Sequence, residues 1–111
     1  MFNIIKVMAD FSSSGIWECD EKGFGAMIDY CELEISKELA KEFEAWIDFY
    51  DTCFEEDYYT FKVGKAKVMN ELGLNLAKKL KKELSNVEIY FCEENTENEQ
   101  YTLIKHKIEG D

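Results

Sequence analysis

Carboxylates are the most numerous side chains in this sequence that could take part in chemistry, and several of them are grouped. Short acidic clusters occur at residues 55–57, at residues 93–94 and at Glu97 with Glu99. General acid–base catalysis needs two carboxylates in different environments, one of which has a raised pKa. We expect these clusters to lie in polar loops or at a helix end, where water solvates every member. They therefore do not indicate an acid–base site.

The residues needed for nucleophilic or metal-dependent catalysis are sparse. The one histidine, His106, falls in a predicted strand. The cysteines are widely spaced, without the close pairs that a zinc site usually has: Cys19, Cys31, Cys53 and Cys92. No glycine-rich phosphate-binding motif is present, and residues 55–57 lack the spacing of a calcium-binding loop. We expect no catalysis, no metal and no cofactor.

Charge is distributed unevenly along the 111 residues, which carry a formal net charge of −11. The segment 18–57 holds fourteen acidic residues against three lysines, whereas the segment 60–84 holds seven lysines against two glutamates. From residue 85 onward, seven acidic residues face two lysines. The sequence is therefore bipolar, with a lysine-rich segment between two acidic ones.

This charge favours some partners over others. Nucleic acids and anionic membranes are bound by clustered Lys or Arg, so we expect neither as a direct partner. A basic protein is favoured through steering and electrostatic complementarity, the alternative being acidity that only keeps the protein soluble. No apolar run approaches the roughly 20 residues that cross a bilayer, and residues 1–8 contain no basic leader. We expect a cytoplasmic protein with reduced cysteines.

Four acidic residues form the most specific candidate surface. They recur at spacings of four, three and four on a predicted helix, so they would share one of its faces: Glu44, Asp48, Asp51 and Glu55. One interpretation is a solvated outer face, and the other is a surface that meets Lys and Arg side chains of a partner. Tyr58 and Tyr59 follow closely and would suit the aromatic contact area of an interface.

Apolar periodicity predicts two helices and three or four strands. The predicted strands are residues 3–11, 16–19 (a strand or an extended loop), 87–92 and 101–108, and the predicted helices are 36–53 and 61–84. The order β(β)ααββ predicts an α+β fold, in which a small antiparallel or mixed sheet of 3–4 strands carries two helices on one face. The chain length fits one domain, residues 1–111. The first strand is apolar on both faces at its start, which indicates a central position.

Local signals refine the two helices. Ser36 is the predicted N-cap of the first helix, and Gly64 could delay the start of the second. Gly73 lies inside the second helix, where glycine costs roughly 1 kcal/mol relative to alanine. Such a glycine indicates close packing, here against Trp46 or Trp17. The second helix presents an apolar stripe: Met69, Leu72, Leu76, Leu80 and Leu84.

Several segments together resemble the small acidic immunity proteins that accompany bacterial toxins of contact-dependent growth inhibition and related polymorphic toxin systems. The matching segments are Ala9-Asp10-Phe11-Ser12-Ser13-Ser14-Gly15-Ile16-Trp17, Met27-Ile28-Asp29, Leu33 with Ser36-Lys37-Glu38-Leu39, Phe43-x-x-Trp46, and the run 73–84. The resemblance reaches about Glu94, whereas the loop and strand after Cys92 have no counterpart. Its motifs are apolar and structural, so no functional residue carries over.

The resemblance implies an immunity protein that neutralises a cognate toxin domain by stoichiometric inhibition. It would cap the toxin's C-terminal domain, often a basic nuclease, over its active site or beside it. The alternative that charge leaves open is an acidic regulator or nucleic-acid mimic, which binds a cellular nucleic-acid-binding protein. An adjacent toxin gene would favour the first function, and partners outside any toxin locus would favour the second.

Overall fold

The computed structural model describes residues 3–20, 25–57, 60–94 and 103–109. The strands are β1 (Ile4–Val7), β2 (Ile16–Glu18), β3 (Glu88–Glu94) and β4 (Leu103–Ile108), and the α-helices are α1 (Lys37–Asp51) and α2 (Lys65–Glu83). A short 3₁₀ helix (Tyr30–Glu32) precedes α1. The element order ββααββ confirms the predicted α+β class.

The four strands form one mixed sheet in the order β2-β1-β3-β4. β1 pairs antiparallel with β2 and parallel with β3, and β3 pairs antiparallel with β4. β1 therefore occupies a central position, as its apolar character on both faces predicts. Parallel neighbours need a long crossover connection, and both helices lie in that connection between β1 and β3. α2 packs against β3, and α1 packs against α2.

The first strand ends at Val7, earlier than the predicted end at Phe11. Asp10 accounts for the difference: its Oδ1 accepts a hydrogen bond from the Phe11 N–H at 2.8 Å, and its carbonyl accepts one from the Ser13 hydroxyl at 2.8 Å. Short polar side chains that bond to nearby backbone compete with sheet pairing. The chain therefore turns here and returns as β2, which settles the predicted strand-or-loop alternative for residues 16–19 in favour of a strand.

Ser36 joins the start of α1 to the end of α2. Its Oγ accepts a hydrogen bond from the Leu39 N–H at 3.2 Å, which confirms the predicted N-cap. The N–H and hydroxyl of Ser36 donate to the Glu83 carboxylate at 2.6 and 2.9 Å. The capping residue of one helix is thus held by the last residue of the other.

Replacing Ser36 by alanine is expected to lower the free energy of unfolding by about 1–2 kcal/mol, because loss of an N-cap side chain costs roughly that much. Urea denaturation followed by circular dichroism would measure the change. Ser85→Ala, at an exposed position beyond α2, is the control and should change stability by less than about 0.5 kcal/mol. Equal unfolding midpoints for S36A and the parent chain would contradict the capping role.

α2 approaches both β3 and α1 at Gly73. A Cβ placed on Gly73 would lie 2.5 Å from Phe91 Cε1 and 2.6 Å from Trp46 Cζ2. The predicted close packing is confirmed for Trp46, and Phe91 is a second neighbour that the sequence did not indicate. Trp17 lies in β2 instead, where its indole N–H donates to the Met8 carbonyl at 2.9 Å.

The limits and the inner face of α2 were predicted only in part. The helix begins at Lys65, directly after Gly64, whose φ is +78°, so the delayed start is confirmed. The predicted apolar stripe is wrong at Leu72, which is 42% exposed. Gly73 lies on the buried side of the helix, so its neighbour Leu72 lies to one side of that face and lines a groove beside α1.

The buried apolar side chains form one cluster between the sheet and the helices. Its fully buried members come from every layer: Ile5, Val7, Ile16, Phe43, Ala77, Leu80 and Ile89. Among the helices in the described part of the chain, none is long and apolar enough to span a membrane.

Candidate functional site

Three of the four predicted acidic residues share one face of α1: Glu44, Asp48 and Asp51. All three are exposed, and their spacing places them within an arc of about 60° on a helix with 3.6 residues per turn. We call these three residues the acidic face. The residues that α1 buries lie outside this arc: Leu39, Phe43, Trp46, Ile47 and Tyr50.

The 3₁₀ helix lies beside the acidic face and is anchored by Tyr30. The Tyr30 hydroxyl donates to the Ser14 carbonyl at 2.7 Å, and its ring centroid lies 6.4 Å from that of Phe43. Burial, followed by the negative charges of Glu44 and Asp48, raises the pKa of Tyr30 to about 12. The acidic face therefore acts electrostatically on its surroundings, and its neighbour is a segment that the sequence did not assign to the site.

Glu55 does not belong to the acidic face, which corrects its predicted place on the helix. α1 ends at Asp51 rather than near Cys53. The Thr52 hydroxyl and the Cys53 thiol both donate to the Phe49 carbonyl, at 2.7 and 3.1 Å. These side-chain donors satisfy the Phe49 carbonyl, which lies in the last turn of α1. Glu55 then lies in the connection to α2, exposed.

An aromatic cluster lies at the end of α1 and includes described residues of the connection to α2. The Phe54 and Phe61 rings lie 4.3 Å apart, and the Tyr50 ring lies 4.9 Å from Phe54. Predicted interface residues Tyr58 and Tyr59 lie between these rings in the sequence but outside the described residues. Tyr50 belongs both to this cluster and to the last turn of α1, so the acidic face ends beside the cluster.

α2 carries the opposite charge. Lys67, Lys78 and Lys82 are exposed on it, as the lysine-rich segment predicts. Lys79 Nζ lies 2.6 Å from Glu42 Oε1 of α1 across an exposed ion pair. Lys81 Nζ instead donates to the carbonyls of Ser85 and Val87, beyond the end of α2. The acidic and lysine-rich segments of the sequence thus form two adjacent helices whose exposed faces carry opposite charges.

A shallow apolar groove runs between α1 and α2. Its apolar lining consists of Ala45, Trp46, Phe49, Leu72 and Leu76. Its polar lining consists of Glu42, Asn75 and Lys79, of which Glu42 and Lys79 form the exposed ion pair. This interhelical groove was not predicted, because the sequence places Leu72 in the apolar stripe of the second helix.

Glu94 is buried, which corrects the prediction that this acidic pair is solvated. It ends β3 and is 7% exposed. Asn70 holds its backbone from α2: Nδ2 donates to the Glu94 carbonyl at 3.0 Å, and Oδ1 accepts from the Glu94 N–H at 2.8 Å. Burial, with a smaller contribution from the charge of Asp10, raises the pKa of the Glu94 carboxyl to about 7.

The four cysteines and His106 are the other side chains that could take part in chemistry. All four cysteines are free thiols, and burial raises the pKa of Cys19, Cys53 and Cys92, which disfavours the nucleophilic thiolate. His106 lies in β4 as predicted, with Nε2 2.6 Å from Glu93 Oε2 at the surface. Within residues 3–20, 25–57, 60–94 and 103–109, no three His, Cys, Asp or Glu side chains could hold a metal ion together.

Comparison with known proteins gives one family. The model of a family described as Serratia CdiI immunity protein-like matches residues 3–94. The match spans β1, β2, both helices and β3, and it ends where the resemblance in the sequence also ends. β4 lies outside it. No curated protein matches the chain.

Proposed function

The chain belongs to the Serratia CdiI immunity protein-like family, and from this premise we propose that it neutralises a cognate toxin domain by binding it through the acidic face of α1. The observation that supports this surface is the exposure of Glu44, Asp48 and Asp51 on one side of a well-formed helix. The toxin domain is then a basic protein, with a nuclease as the favoured activity.

The charge of the acidic face suits a partner that binds nucleic acid. A nuclease holds its substrate through Lys and Arg side chains that contact phosphates, and a row of carboxylates can occupy the same side chains. Three acidic side chains on neighbouring helical turns repel one another by a few tenths of a kcal/mol per pair. The positive charges of a basic partner offset this repulsion, and this favours complex formation.

The proposed mechanism is stoichiometric inhibition. One immunity protein covers one toxin domain, over its active site or beside it, so that substrate is excluded. Capture must be faster than the damage that the toxin does. Electrostatic steering can raise association rates by about 10–1,000-fold, up to roughly 10⁸–10⁹ M⁻¹s⁻¹ at low salt. The contribution of Glu55, Tyr58 and Tyr59 to the same interface remains a prediction.

Co-expression tests the immunity function. The C-terminal domain of a large secreted protein encoded next to this chain should be toxic when produced alone, and production of this chain should restore growth. The two purified proteins should form a 1:1 complex with a nanomolar or tighter Kd. Failure to rescue would contradict the immunity function. Capture of a cellular nucleic-acid-binding protein, without rescue, would support the acidic regulator or nucleic-acid mimic instead.

Neutralising the acidic face tests the proposed surface. The variant E44Q/D48N/D51N is expected to associate with the toxin domain about 10-fold more slowly at low salt, and its association rate should depend less on salt. Stopped-flow mixing at several salt concentrations would measure both effects. Its folding should be unchanged, because all three side chains are exposed.

The matched control removes the same charge elsewhere. Glu34, Glu71 and Glu109 are exposed and lie outside α1, so E34Q/E71Q/E109Q has the same net charge as the first variant. It should keep most of the association rate if the acidic face is the binding surface. Equal slowing in the two variants would assign the effect to net charge and would contradict the surface.

A further inference from the structure

The interhelical groove has the size and lining of a site for one side chain. Its volume is about 270 Å³, slightly below the roughly 300–1,000 Å³ of pockets that bind small molecules. Ala45 and Leu72 form its two apolar sides, and Leu72 is 42% exposed. Such an exposed leucine is one of a few large apolar side chains that the described surface leaves open to solvent.

The lining of the groove shows which chemistry fits it. Glu42 provides a carboxylate, and its present partner is the ammonium of Lys79 at 2.6 Å. The ring of Phe49, another lining residue, lies 5.5 Å from the ammonium of Lys65. The Glu42 carboxylate is thus the acidic group of the lining and already binds a cation, while Asn75 adds a polar amide and the other lining residues besides Lys79 are apolar. A long side chain with an apolar stem and a cationic head matches this pattern.

We propose that the groove receives an arginine side chain from the toxin domain. Its methylene stem packs on Ala45 and Leu72, and its guanidinium binds the Glu42 carboxylate. Arginine matches a carboxylate with two parallel hydrogen bonds, which an ammonium cannot do. Arginine is also enriched among the few residues that dominate binding energy at interfaces. This inference rests on the proposed function, because it requires the toxin domain as partner.

Lys79 is the competitor for Glu42. The two side chains are 51% and 46% exposed, and an ion pair this exposed contributes little, with a median of about 0–1 kcal/mol. The incoming arginine therefore displaces Lys79 at small cost. The groove supplies affinity through a desolvated contact, whereas the acidic face supplies encounter rate, so the two surfaces of α1 act on different rate constants.

Because Lys79 and the incoming arginine compete for Glu42, removing Glu42 and removing Lys79 should change the Kd in opposite directions. We expect Glu42→Gln to raise the Kd for the purified toxin domain about 10-fold, since truncating a charge-assisted bond acts mainly on dissociation. Lys79→Ala should lower the Kd by roughly threefold relative to Lys78→Ala, because both variants lose one positive charge but only Lys79 blocks Glu42. Surface plasmon resonance would measure the rate constants, with Glu71→Gln as the control for Glu42.

A purely structural pair gives a different result. If Glu42 and Lys79 only hold the helices together, both substitutions change binding in the same direction, and this outcome would overturn the proposal. Leu72→Ala provides a second measurement: it should speed dissociation about fivefold and leave association within twofold, as loss of an interface contact does. Circular dichroism would show that each variant is folded.

Two further outcomes separate this inference from the proposed function. If the unmodified chain does not bind the toxin domain, the proposed function fails. If it binds, but K79A and K78A have equal affinity and L72A dissociates normally, only the groove proposal fails. Sedimentation would also reveal self-association: a dimer lost in L72A, with unchanged toxin affinity, would assign the groove to a second copy of the chain.

Discussion

Replacing Gly73 by valine is expected to lower the free energy of unfolding by about 3 kcal/mol, since overpacking a well-filled core costs typically 1–3 kcal/mol and a β-branched residue adds helix strain. The Cβ alone would approach Phe91 and Trp46 to 2.5 and 2.6 Å. Neither ring can move freely. Phe91 is 2% exposed, and the indole N–H of Trp46 donates to the Met69 carbonyl at 3.1 Å.

The Gly73→Ala variant separates packing from helix propensity. At an open helical position, alanine in place of glycine stabilises by roughly 1 kcal/mol. At Gly73 the same change is expected to destabilise, because the contact with two aromatic rings outweighs that gain. Urea denaturation of both variants measures the difference, and Glu71→Val, at an exposed position of α2, is the control for the β-branched side chain. A gain in stability for G73A would contradict the close packing.

Gly73 also shows how far the sequence predicts this fold. Helical and strand periodicity depend on local residue order, so they predict the sequence of elements and the central β1 correctly. The sequence predicts that Trp46 or Trp17 packs against Gly73, and Trp46 is correct. Phe91 was not foreseen, because its contact with Gly73 depends on how α2 packs against β3, which local residue order does not predict.

The candidate site was predictable where it depends on one helix. Glu44, Asp48 and Asp51 share a face because α1 is regular, whereas Glu55 does not, because α1 ends at Asp51. The groove could not be predicted, since it requires the relative position of two helices. In the sequence, an exposed leucine at position 72 cannot be distinguished from a buried one. The close contact at Gly73 shows which side of α2 is buried, and Leu72 lies outside that side.

Replacing Glu94 by glutamine is expected to make the chain more stable at pH 8 and to change little at pH 5. The pKa of this carboxyl is about 7 in the folded chain, against an ordinary value of 4.5. The folded state therefore holds the proton over a pH range in which the unfolded chain releases it. Stability from this group is complete below pH 4.5 and is lost as the pH rises towards 7.

The size of the effect follows from the shift in pKa. Each unit corresponds to about 1.4 kcal/mol, so ionised Glu94 costs on the order of 3 kcal/mol at pH 8. Glutamine has nearly the same shape and no charge, so it keeps the backbone contacts with Asn70. We expect E94Q to unfold at higher urea than the parent chain at pH 8, by about 2–3 kcal/mol, and at nearly the same urea at pH 5.

Every other titrating group is present in both E94Q and the parent chain. The difference between their pH profiles of stability therefore reports on Glu94. Asp10→Asn gives an independent check, because the Asp10 charge contributes to the raised pKa of Glu94. Without that charge, the loss of stability should still begin near the ordinary pKa of the carboxyl, end at a lower pH and be smaller. Glu71→Gln, at an exposed position, should follow the parent curve. If E94Q shows the same fall in stability between pH 5 and 8 as the parent chain, the carboxyl is ionised in the folded protein throughout, and the end of β3 is solvated as the sequence alone predicts.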